Sequence, residues 1–149
     1  MRASDLRGDE KEQFQYPLPP EFFPPWALRQ GKEWAGIDEF SLLVRAEEIT
    51  AKKLEVSYVP LPADTWGFHL LRGNRAAFFI NSKLPPLWRR FALFHELYHL
   101  LEHRGGLDFW ERTATPLSSF EHQADLFAWA AVMNEWSTCW QESTVEDMP

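Results

Sequence analysis

Two histidines one helical turn apart, with a glutamate directly after the first, are the residues of this chain best suited to chemistry: His95-Glu96-Leu97-Tyr98-His99. On an α-helix, positions four apart share a face. Both imidazoles can therefore reach one Zn²⁺ ion, each through one ring nitrogen. Glu96 sits about 100° round the helix from His95, beside the ion and not on it. A carboxylate placed there can take a proton from a metal-bound water. The plainer reading is a pair of structural histidines on a polar helix face. Phe91, Leu93, Phe94, Leu97, Leu100 and Leu101 argue against it, because they make most of the helix apolar. Such a helix is largely buried, and polar groups clustered in it need partners.

Zinc held by two histidines of one helix still needs a third protein ligand. Glu121 is the first candidate, in Glu121-His122-Gln123-Ala124-Asp125-Leu126-Phe127-Ala128-Trp129-Ala130-Ala131. Ser118 or Ser119 can cap a helix here, and the apolar run that follows has helical length. Glu121 and Asp125 again lie one turn apart. Asp125 can accept a hydrogen bond from the second ring nitrogen of a liganding histidine, which fixes its tautomer and orientation. His122 and Asp125 are rival ligands, and the plainer reading of Glu121 is an acid favoured by the helix macrodipole. A purely structural zinc is the weaker idea, since closed sites are cysteine-rich and the chain has one cysteine, Cys139.

The run from Arg90-Phe91 through His95-Glu96 and His99 to Leu100-Leu101-Glu102-His103, followed by Glu121 to Ala128, resembles the ImmA/IrrE family of zinc metallopeptidases. That family carries an Arg-Phe-x-x-x-His-Glu-x-x-His helix and then a Glu-x-x-Ala-Asn/Asp-x-Phe-Ala helix. The resemblance extends from residue 37 to residue 134, with Gly67 and the strand end Phe79-Ile80-Asn81 upstream. It implies His95, His99 and Glu121 as Zn²⁺ ligands and Glu96 as catalytic base. The implied fold is α+β, a small zincin-like domain. A three-stranded, mostly antiparallel sheet packs on the His-Glu-x-x-His helix and a second metal-ligand helix. The implied activity is hydrolysis of a peptide bond in a protein substrate, a helix-turn-helix repressor in stress or mobile-element control. The alternative is a non-catalytic, metal-containing module that docks a repressor or a toxin/antitoxin partner. Two departures stand out: Tyr98 occupies the family's usual Gly position, and Val132-Met133-Asn134 lacks the family's Pro.

Other residues are candidates for contacts around the metal or to substrate. Asp125 has been named. His103 falls near the face of His95, or is a helix C-terminal histidine near the last carbonyls. His69 lies in a hairpin, where it faces the cleft and stabilises an oxyanion or is a surface strand residue. Tyr98 either crowds the metal face or packs in the core. Arg90 can anchor the helix through a carboxylate.

The chain has 149 residues, enough for one domain with a real core. Eight Trp and twelve Phe mark it as globular. A net charge of −7 argues against direct nucleic-acid binding. One cysteine, no basic-then-apolar leader and no membrane-length apolar run lead to the expectation of a soluble cytoplasmic protein.

In chain order, residues 1–30 read as a Pro-rich arm and 31–149 as the metallopeptidase domain. Within the arm, residues 16–26 are extended by their prolines. They either lay Phe22, Phe23 and Trp26 on the domain surface or form an inhibitory or partner-binding segment near the active-site groove. Residues 38–54 read as a helix capped by Asp38, with Phe40, Leu43, Val44, Ile49 and Leu54 inward. Residues 55–59, 66–71 and 76–80 read as strands, the last two a hairpin turning at Gly73-Asn74. One strand of that hairpin is expected to hold extended substrate. Pro85 or Pro86 starts the catalytic helix, residues 104–116 read as a loop, and a second helix runs from about 120 to 134.

Overall fold

The computed structural model describes residues 14–102, 109–114 and 122–147. Their order is α1 (Pro25–Trp34), α2 (Glu39–Thr50), β1 (Lys53–Val59), β2 (Thr65–Arg72), β3 (Arg75–Asn81), α3 (Pro86–Glu102), β4 (Phe109–Ala114) and α4 (His122–Asp147). The fold is α+β, with the sheet packed on α3 and α3 packed on α4, consistent with a small zincin-like domain.

Local chemistry sets most boundaries. Pro25 opens α1 at a position where its missing N–H costs nothing. Asp38 caps α2, its Oδ2 accepting from the Ser41 N–H at 3.0 Å. That helix stops at Thr50 and does not run to 54, because Ala51 turns left-handed at φ 59°. The Glu47 side chain then accepts from the Leu54 N–H at 2.8 Å, tying the helix end to β1. The expected apolar stripe of α2 is corrected too. Leu42 and Ala46 are buried, while Phe40, Val44 and Ile49 are exposed, because the sheet and α3 meet a narrow face of this helix.

The sheet order is β1-β3-β2-β4. β2 pairs antiparallel with both β3 and β4, and β1 pairs parallel with β3. The three expected strands are present. A fourth, β4, replaces part of the loop read at 104–116. Phe109-Trp110-Glu111-Arg112-Thr113-Ala114 does not alternate apolar with polar, so its strand state comes from pairing with β2. Gly73 takes φ 59° in the two-residue turn between Arg72 and Arg75, as a first turn position with positive φ requires. The hairpin strands are both interior to the sheet. Among the described residues the edges are β1 and β4, which corrects the expectation that a hairpin strand is free to hold substrate.

One apolar cluster joins the sheet (Leu54, Trp66, Leu71, Phe78, Ile80) to α3 (Phe91, Leu93, Phe94, Leu97, Leu100) and α4 (Phe127, Ala131). Buried Asn81 fastens the chain on either side of it. Its amide donates to the carbonyls of Leu61, Pro62 and Thr65, and its oxygen accepts from the N–H groups of Leu61 and Lys83. A second patch of Ala27, Leu126 and Ala130 joins α1 to α4. Helix α1 crosses position 30, where the arm was expected to give way to the domain. Upstream, Tyr16 stacks on Trp88 with ring centroids 4.6 Å apart. Phe22 is exposed, while Phe23 and Trp26 are half-buried.

Candidate active site

Helix α3 is sandwiched between the sheet and α4, so even its polar residues are enclosed. His95 is 1% exposed and Glu96 is fully buried. His99, one turn on, is half-buried, and its ring centroid lies 5.0 Å from that of His95. The 3.6-residue period thus brings the two imidazoles side by side.

Asp125 comes from the first turn of α4. Its Oδ1 lies 3.1 Å from His95 Nδ1. A carboxylate at that distance accepts the Nδ1 proton, which leaves Nε2 as the nitrogen with a lone pair for a metal. Two imidazoles on one face, one of them oriented in this way, suit a zinc ion. Among the described residues, no three His, Cys, Asp or Glu converge on a common point. Glu121 and His103 lie outside the described residues; Glu121 directly precedes the first residue of α4. His122, the rival ligand, is exposed, and Asp125 is engaged with His95.

His69 reaches the site from the sheet. Along the second half of β2, His69 and Leu71 are buried while Leu70 and Arg72 are exposed, so His69 lies beneath α3 and is not a surface strand residue. Its Nδ1 is hydrogen-bonded to Glu96 Oε1. Its ring stacks on His99, with centroids 5.0 Å apart and planes 20° from parallel. Sequence reasoning placed His69 near the cleft and missed its partner. Phe68 and Leu70 on the other face are also apolar, so alternation could not mark the inward side. The available signal was a histidine two residues after a glycine and two before a leucine on one strand face.

Tyr98 lies edge-on to the His99 ring, with centroids 6.2 Å apart, and reaches toward α1 and α4. Its hydroxyl donates to Gln123 Oε1 at 3.0 Å. Its ring lies 5.8 Å from Trp26 of α1 and 5.7 Å from Phe127 of α4. Burial, with Glu102 nearby, raises its pKa above the ordinary tyrosine value. It fills the junction of three helices. Arg90, one turn and a half upstream of His95, donates to Glu135 at 2.7 Å and to the Ile37 carbonyl, so it fastens α3 to α4 and to the start of α2.

A buried His-Glu-x-x-His helix, braced by an acid from a second helix and a sheet at its back, defines a domain of metallopeptidase type. The family model described as Peptidase_M78, IrrE N-terminal-like domain, matches residues 39–136, well over half of the 149-residue chain. The chain belongs to that family. The match runs from α2 into α4 and so includes the four described strands, α3 and the first part of α4 with Asp125. No curated protein and no solved structure matches the chain. No helix among the described residues is long and apolar enough to cross a membrane.

Proposed function

We propose that this protein is a zinc-dependent endopeptidase that cuts a peptide bond in a protein substrate, a helix-turn-helix transcriptional repressor of stress or mobile-element genes. The observation that carries the reading is the enclosure of Glu96 beside two imidazoles, one of them fixed by Asp125. His95, His99 and Glu121 are the residues that would hold the ion, which when bound supplies Lewis acidity toward the substrate carbonyl and toward water.

The chain's own residues do the rest. Asp125 keeps the Nδ1 proton of His95 in place, so that ring offers one nitrogen only. Glu96 accepts a proton from the attacking water and passes it to the leaving amine as the carbon–nitrogen bond breaks. Its burial keeps bulk water away from that transfer. The edge strand β4, beside β2 and hence beside His69, offers backbone groups to which an extended substrate segment can add as a further strand. The repressor as substrate rests on the family resemblance of the motif residues.

Glu96→Gln is the direct test, assayed by mass spectrometry against the helix-turn-helix protein encoded alongside. Cleavage should fall by roughly 10²–10⁴-fold, with zinc content unchanged. A mutant that cuts at the wild-type rate removes Glu96 from the mechanism. A wild-type protein that forms a stable complex with an uncut partner favours the docking module instead.

A further inference from the structure

Glu96 has a partner that its own helix does not supply. His69 lies 27 positions away on β2, and its Nδ1 meets Glu96 Oε1 with both side chains at 1% exposure or less. From the proposed peptidase reading, on which it rests, we infer that His69 is a positioning residue. It donates from Nδ1 to hold the Glu96 carboxylate in register with His99.

Three observations support this. First, the strand period fixes the approach: His69 is buried together with Leu71 two residues on, which belongs to the core shared with α3, while Leu70 and Arg72 are exposed. Second, the same ring that binds Glu96 stacks on His99 at 5.0 Å. One rigid side chain therefore touches both the acid and a candidate ligand, and sets their separation. Third, stability gives little reason to place this pair here. Burying an imidazole and a carboxylate costs desolvation, and apolar residues of similar volume often serve a core as well or better. A leucine at 69 would extend the apolar face made with Leu71. The terminal torsion of a glutamate is broad, so an unheld carboxylate samples orientations that cannot receive a proton from water. Pinning Oε1 removes that freedom, and small misplacements at a reacting group can lower rates by about 10²-fold.

The test compares His69→Asn, His69→Gln and His69→Leu in the zinc-loaded full chain. The Asn amide can donate from near the Nδ1 position, whereas the Gln amide mimics Nε2. His69→Leu should lower kcat by about 10²-fold with KM within about twofold. His69→Asn should recover at least about tenfold of that loss, and His69→Gln should not. Zinc content should remain at the wild-type level in all three. A His69→Leu kcat within about threefold of wild type overturns the inference, as does Gln matching Asn. A second readout needs no substrate. In ¹⁵N-histidine NMR of the zinc-loaded wild type, His69 should carry its proton on Nδ1, and an unprotonated Nδ1 overturns the inference. A wild type that cleaves nothing would count against the peptidase reading, while the NMR result would still decide whether His69 donates to Glu96.

Discussion

Asp125 shows how much one carboxylate contributes at the scale of a residue. At 3.1 Å from His95 Nδ1 it selects the tautomer whose free lone pair is on Nε2. Asp125→Ala should weaken zinc affinity by about 10–100-fold, read by competition with a chelator. Asp125→Asn keeps an acceptor oxygen and should fall between Ala and wild type. Equal affinities in all three proteins would show that His95 is oriented by something else. Tyr98 makes the opposite point. It sits within the motif, yet its hydroxyl serves Gln123 and its ring serves the helix junction.

Helix ends and helix contacts carry the predictions at the next scale. The Ser41 hydrogen bond lowers the Asp38 pKa below its ordinary 3.8. A lowered folded-state pKa means the ionised cap stabilises the fold above that ordinary value and loses its effect as pH falls through the lowered one. Asp38→Asn keeps the cap hydrogen bond without the charge. The melting-temperature difference between wild type and this variant should therefore shrink on acidification below about pH 4. A difference independent of pH would separate the charge from the cap. Gly31 of α1 is a second case. A Cβ there would lie 2.6 Å from the Ala130 Cβ and 2.8 Å from the Ala130 carbonyl carbon. Helix propensity alone favours Ala over Gly by about 1 kcal/mol. Overpacking against backbone costs about 1–3 kcal/mol, and no rotamer change can relieve it. Gly31→Ala should therefore destabilise in urea titration, and a net gain would mean that α1 slides on α4 freely.

For the whole molecule, the family match begins at residue 39 while the packed body begins earlier. Trp34 is 3% exposed in the main core, with the Arg45 guanidinium 4.4 Å above its ring. Trp26 rests against Tyr98 of α3. Helix α1 is thus a brace for the site helices. Trp34→Ala should cost about 3–5 kcal/mol, and a chain starting at residue 36 should melt well below the full chain. An unchanged melting point on that truncation would make α1 an appendage. The Arg90–Glu135 pair is the longer-range counterpart. It joins α3 to α4 at one end of the site, as Asp125 and His95 join them at the other.

What could be read from the residues alone is what neighbouring residues decide between themselves. The i, i+4 spacing of His95 and His99, the Asp38 cap, the Gly73-Asn74 turn and the proline start of α3 depend on contacts a few positions apart, and the helix and hairpin geometries restrict them tightly. The acid-to-histidine bond of Asp125 was foreseeable because its chemistry is narrow. Packing decided the rest. Leu42 and Ala46 face inward in place of Phe40 and Val44 because of where the sheet lies, and β4 is a strand because β2 offers it an edge. His69, 27 positions before Glu96, meets it only once a hairpin has folded beneath a helix. Burial and partner choice are properties of the assembled layers, and no local spacing encodes which layer will arrive.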